Sequence, residues 1–453
     1  MMLSNTSDTK LALWTGATGI VLGALVVGAV ATHRLHHHPA PAAASELAPD
    51  PAAVHYRYAT TTAAAATTDT AATITALEAR VRDMASPFDY AELADLYFRK
   101  GQVDGDPADY KTAEAMARHS LALLPSPNPA VMTLAKLADV RHDFRDAIDL
   151  ALQHKGGNSA GAQIIIATAH LALGELPAAG RAAQAAVAVK PDSAGYLMRA
   201  LVMQAQGRDA EAAFDFANAA RVEEPGDLQG SARLRALWGR FLLRRGELPG
   251  AALLFDETLR IVPGFALGLA YRGELALRTG HARDAARLFE QAFVASRQVR
   301  YLIDQARAQE LAGDLTGADA LRAQVEAIVR GELGEGGLGH RLDLAEVLVD
   351  RGRAAELPEA VALAREEVSR RGSFEARFQL ARALARTGAR DEAIREVQAA
   401  LSSGAHEAQL YELAAQLEAQ RGNAAAAALY TRQADHLDPG SSGWRKIGLG
   451  QAR

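Results

Sequence analysis

The sequence predicts an all-α protein whose bulk is a solenoid of stacked helix pairs, with a transmembrane helix and a disordered tether ahead of it. Three observations predict this. The chain of 453 residues is 49% hydrophobic but only 6% aromatic; alanine, the strongest helix former, sets that balance. Glycines at 174, 207, 246, 280, 313, 352, 388 and 422 return every 33 to 39 residues, and a period in that range marks a helical repeat array. Residues 11–32, LALWTGATGIVLGALVVGAVAT, run for 22 residues without a charge.

That uncharged run follows a short leader, 1–10. As a helix it spans roughly 33 Å, enough for a hydrocarbon core of about 30 Å. Trp14 suits one interface, and His33 with Arg34 mark the other. The expectation is an uncleaved signal anchor and a single-pass inner or plasma membrane protein. Its soluble domain would be extracytoplasmic (periplasmic). The alternative is a signal peptide cut after Ala29-Val30-Ala31, which leaves a soluble periplasmic protein. Residues 33–69 open on histidines and continue in Ala, Pro and Thr, a composition that reads as a flexible linker. His33, His36, His37 and His38 are weak metal candidates through their imidazoles, because no carboxylate or thiolate fixes a geometry beside them. Otherwise no metal site is expected.

Each repeat has the same grammar. In GHARDAARLFEQAF the turn glycine Gly280 is followed by Ala285, Phe289 and Ala292 on one helical stripe. Gly207, Ala212, Phe216 and Ala219 repeat it, as do Gly246, Ala251, Phe255 and Thr258. The upstream helix supplies its own small or apolar face, as with Trp238, Gly239 and Leu242. A left-handed glycine closes that helix without a Cβ penalty. The alanines then leave a gap for the ring, so that two helices approach to 8–10 Å. Ahead of the array, Ile74, Leu77, Val81 and Met84 make a stripe suited to a capping helix at 70–86.

This grammar resembles the tetratricopeptide repeat (TPR) family over residues 87–439, with a C-terminal tail at 440–453. The resemblance implies a right-handed α-solenoid of about ten helix-turn-helix units. Some units depart from the pattern. The first carries DGDPADYK between its helices, the eighth extends its turn through RAAELPE, and the seventh has Arg322 where a ring is usual. The resemblance also implies a concave groove, lined by the first helix of each unit, that binds a partner. The inward positions include Ile164, Thr168, Leu171, Leu197 and Leu201, an apolar strip. Arg233, Arg240, Arg244, Arg278, Arg300 and Arg307 follow as a basic middle, with acidic Asp343, Glu346 and Asp350 beyond.

No chemistry competes with this reading. Without cysteine there is no disulfide, thiolate zinc site or cysteine nucleophile. Gly334, Gly336 and Gly339 match a dinucleotide fingerprint by count, but no strand precedes them. Asp104, Asp106 and Asp109 are ordinary loop carboxylates rather than a calcium loop. With 49 basic against 54 acidic residues, no general attraction to polyanions follows. The expected function is a membrane-anchored scaffold, not an enzyme, that assembles or docks an envelope complex through its groove. Guanidinium forks suit a partner protein or peptide segment bearing carboxylates. Membrane contact is expected through 11–32, with no cofactor, nucleic acid or small-molecule substrate. The alternatives are metal handling by the histidines, or a non-catalytic subunit of an envelope enzyme or secretion system.

Overall fold

The computed structural model describes residues 47–60, 63–125, 127–334 and 340–440, with side chains excepted at 63–69 and Asp104. These residues hold 22 α-helices and no strand. A single turn, α1 (Pro51–Val54), precedes α2 (Ala63–Asp83). Twenty helices then follow in ten pairs. They are α3 (Pro87–Asp104) with α4 (Pro107–Leu123), α5 (Ala130–Val140) with α6 (Phe144–Gln153), and α7 (Ala160–Ala172) with α8 (Leu176–Val189). Next come α9 (Ser193–Ala205) with α10 (Asp209–Arg221), α11 (Leu228–Arg244) with α12 (Leu248–Ile261), and α13 (Ala266–Arg278) with α14 (Ala282–Ser296). The last four pairs are α15 (Val299–Leu311) with α16 (Leu315–Gly334), α17 (Arg341–Arg351) with α18 (Leu357–Arg371), α19 (Phe374–Thr387) with α20 (Arg390–Ser402), and α21 (Ala408–Gln420) with α22 (Ala424–Leu437). This is the helix-pair solenoid that the TPR resemblance implies.

The pairing follows from the stripe. Ala285 and Ala292 are fully buried and Phe289 is 1% exposed between them. The ring lies against the backbone of the partner helix, where a Cβ on Gly273 would come within 2.9 Å of it. Phe255 sits the same way over Gly239, at 2.5 Å. At the turn, Gly280 takes φ 81°, and the His281 N–H donates to the Ala276 carbonyl, 2.8 Å, to close α13. In the second unit His142 holds the turn position at φ 62°, a conformation a β-carbon disfavours.

The array also closes on itself. Units four to six apart in sequence touch along a seam. Asp143 pairs with Arg370 at 3.3 Å, the His406 N–H donates to the Ala205 carbonyl at 3.3 Å, and Arg244 pairs with Glu407 at 2.8 Å. Arg278 reaches Asp438 at 2.5 Å, with both side chains at most 5% exposed. A Cβ on Gly105 would collide with the Ser296 carbonyl. The first helices of several units therefore line a partly enclosed chamber.

Several expectations need correction. Among the described residues no helix is long and apolar enough to cross a membrane, so the single-pass membrane assignment has no support from the fold. Residues 11–32 lie outside the described residues, as do His33, His36, His37 and His38, the leader 1–10, residues 335–339 and the tail beyond 440. Within the range read as a flexible linker, Leu47, Val54 and Tyr56 are at most 3% exposed; these three aromatic or branched side chains seat it on α10–α12. DGDPADYK is no inserted loop. It ends α3 and starts α4, with Asp106 capping the Ala108 N–H at 2.9 Å and Asp109 paired with Lys100 at 2.7 Å. Arg322 is buried in the place of a ring, held by Glu310 at 2.5 Å. In α2, Ile74 and Leu77 pack on Leu93 and Leu96 of α3, whereas Met84 is exposed.

The ring-on-glycine contact sets the helix spacing, so it is sensitive to single atoms. Gly239→Ala and Gly273→Ala are each expected to cost about 1–3 kcal/mol by overpacking. Urea titration followed by circular dichroism checks this, and wild-type stability in both variants would exclude the contact as the spacer.

Candidate functional site

The chamber has a volume of about 570 Å³. Four of the six predicted arginines line it: Arg240 and Arg244 from α11, and Arg300 and Arg307 from α15. On α11, Arg233, Arg240 and Arg244 stand at intervals of seven and four, which is one helical face. Arg233 is exposed and does not line the chamber, and Arg278 is committed to the seam. The apolar strip is not in the chamber either. Ile164, Leu171 and Leu201 lie half-buried against the core of α5–α9, and Leu197 and Leu201 against that of α9–α12. Thr168 donates to the Ile164 carbonyl at 2.9 Å.

The predicted basic and acidic stretches are brought together rather than left as separate zones. Glu346 of α17 accepts from Arg300 at 2.7 Å and from Arg307 at 2.8 Å. Gln379 of α19 donates to the same carboxylate at 3.1 Å. Arg300 also holds Asp304 at 2.8 Å, and Arg382 holds Asp350 at 2.5 Å. Burial works to raise the Glu346 carboxyl, but Arg300, Arg307 and Arg382 outweigh it and hold it well below the usual carboxylate range. Burial pushes Asp343 the other way, upward. The chamber wall is thus a charge-alternating network that joins α15, α17 and α19.

Arg240 stands apart from that network. It makes no ion pair among the described residues, and its Nε is buried without a hydrogen-bond partner. Its guanidinium lies 5.4 Å from the centroid of the Tyr271 ring. Burial raises the Tyr271 and Tyr301 hydroxyls, so both stay protonated donors beside it. His142 also lines the chamber and stacks on Phe144 at 5.5 Å. Burial and the nearby Arg371, His340 and Arg370 push its imidazole down to about 4, which keeps it neutral at pH 7.

Sequence reasoning missed Arg382, Gln379 and Glu407. Arg382 adjoins the apolar stripe Leu380, Ala381 and Leu384, and a charge set into such a stripe is a signal for a buried pair. Glu407 carries no such sign, because its partner lies 163 residues away. Among the described residues no cluster of three or more His, Asp or Glu has metal-ligand geometry.

No protein-family description matches the chain, and no curated protein matches it. Among solved structures it is similar to the human IFIT1 dimer with PPP-AAAA, at 16% identity over 80% of this chain and 84% of that one, with a TM-score of 0.45. It is similar to yeast Tom70 at 14% identity over 80% and 88%, with a TM-score of 0.37. A tetratricopeptide repeat protein from Parabacteroides merdae shares 15% over 52% and 93%, also with a TM-score of 0.37.

The Glu346 network has a definite pH dependence. Its folded carboxyl titrates below the ordinary value of 4.5. Its contribution is therefore complete above that value and is lost as pH falls below it. Glu346→Gln is expected to cost about 3 kcal/mol at pH 7 and clearly less at pH 3.5, by urea titration at both. An equal loss at the two pH values would show that the carboxylate charge is not what matters.

Proposed function

We propose that this protein is a non-catalytic interaction scaffold, and that its chamber docks an extended acidic segment of a partner protein. One observation carries the reading: Arg240 presents an unpaired guanidinium, backed by the Tyr271 ring, on a wall whose other arginines are matched by the chain's own acids. The guanidinium is half-buried, and a ligand carboxylate would engage it through a charge-assisted fork. Arg233, one face-repeat earlier on α11, is exposed and makes no ion pair among the described residues, so a second carboxylate of the same segment would meet it. Arg244, Arg300 and Arg307, grouped with them by sequence, have structural duties. Replacing those three would test the fold and not the docking.

The experiment is site-specific photo-crosslinking in cells from Gln298 and Gln409, which line the chamber. Arg233→Glu with Arg240→Glu is expected to reduce the crosslinked partner about tenfold, the loss of one charge-assisted contact. Arg395→Glu, at an exposed site on α20, is expected to leave it unchanged. Full recovery from the double variant, with unchanged helix content, would remove the proposal.

A further inference from the structure

We propose that the groove between α10 and α12 is a peptide-docking site, and that residues 47–58 of this chain are its resident ligand, which binds and leaves as a unit. The groove lies on the opposite side of α11 from Arg233. Its central residue, Arg235, follows two positions later, about 200° around the helix. The inference does not depend on the chamber.

The segment is held as a ligand is held. Leu47, Val54 and Tyr56 point in, at most 3% exposed, while Ala52, His55 and Arg57 point out. This alternation through Val54–Tyr56 is that of an extended chain on a surface. Its backbone is read by solenoid side chains. The Val54 carbonyl accepts from Arg235 Nε at 2.6 Å, the Tyr56 N–H donates to Glu257 Oε1 at 2.6 Å, and the Tyr56 carbonyl accepts from Arg260 at 3.3 Å. The two tyrosine hydroxyls reach the loop between α10 and α11. Tyr56 Oη accepts the Gly226 N–H at 3.3 Å, and Tyr58 Oη donates to the Glu223 carbonyl at 3.0 Å.

The central arginine of the receiving site is already paired by the array itself. Arg235, fully buried, makes a bidentate pair with Glu223 at 2.6 and 3.0 Å and donates to the Ser231 carbonyl at 3.0 Å. All three residues belong to the helix array. The fork leaves Nε aimed at the Val54 carbonyl, and the guanidinium lies 5.6 Å from the Tyr56 ring centroid. Trp238, Phe255 and Leu254 form the apolar floor under Leu47 and Val54. The segment also carries its own preorganisation. Asp50 caps α1 through the Ala52 N–H at 2.9 Å, with Pro51 in the first turn, which lowers the ordering cost of docking.

The test uses the full chain. Val54→Asp with Tyr56→Ala empties the groove. A fluorescein-labelled peptide of residues 46–60 is then expected to bind this variant saturably in an anisotropy titration. Binding to the wild-type chain is expected to be at least tenfold weaker, since the tethered copy competes at high effective concentration. The same peptide carrying both substitutions is expected not to bind. No saturable binding to a variant of unchanged helix content would overturn the proposal. Hydrogen exchange on the unaltered chain gives an independent reading. The Tyr56 amide is expected to exchange while amides of α10–α12 remain protected; exchange of all of them together would make the segment part of the core and end the idea.

Discussion

A ring lying on a glycine fixes how close two helices come, and the remaining geometry of the array follows from that distance. Phe289 against Gly273 and Phe255 against Gly239 leave no room for one added carbon. The helices of these pairs are therefore held at close range, and Gly268 against Thr258 makes a similarly close contact between successive pairs. Over the ten pairs the stack brings distant units into contact along the seam, and the first helices become the wall of a chamber.

Closure changes what charge can do inside. On an open concave face, a row of arginines would be solvated and available to a polyanion. Partly enclosed, the same row is better accommodated with counter-charges, because desolvating an unpaired ion is costly. Glu346 answers Arg300 and Arg307 together, Asp350 answers Arg382, and Glu407 answers Arg244 from across the seam. Each of these pairs links different helices, so the wall charges also tie the units to one another. Arg240 is exempt from that duty: it rests on the Tyr271 face and feels Glu274, Glu407 and Glu375 without pairing directly with any of them.

The sequence carries local rules well and long-range ones poorly. All eight turn glycines read from the spacing adopt positive φ, since a tight helix end has few solutions and glycine is the least strained. The buried alanine–phenylalanine stripes were legible for the same reason. His142 was not, because a non-glycine residue at a left-handed turn looks like any polar residue in sequence. Arg322 was visible as a missing ring but not as a buried ion pair, which depends on Glu310 of the preceding helix. The candidate arginines lie on first helices, yet which of them face the chamber depends on the curvature of the stack. Periodicity within a unit does not encode that curvature. Composition misled in the stretch 47–58, where Pro and Ala conceal two tyrosines and a valine with specific seats.

The interval between Gly207 and Gly246 is 39 residues, against 33 for the preceding one, and the structure gives that excess a use. About half of it lies in the loop Val222–Asp227 between α10 and α11, and the rest lengthens α11. The loop carries Glu223 back over Arg235 and presents the Gly226 N–H and the Glu223 carbonyl to the tyrosines. The loop thus supplies both the counter-ion that allows an arginine to be fully buried and the polar rim that reads Tyr56 and Tyr58. Opposite faces of α11 consequently hold two arginines in contrasting states. Arg235 is saturated by the chain itself, and Arg240 is left without a carboxylate. An irregular repeat length, which weakens a family resemblance, is here the feature that builds a site.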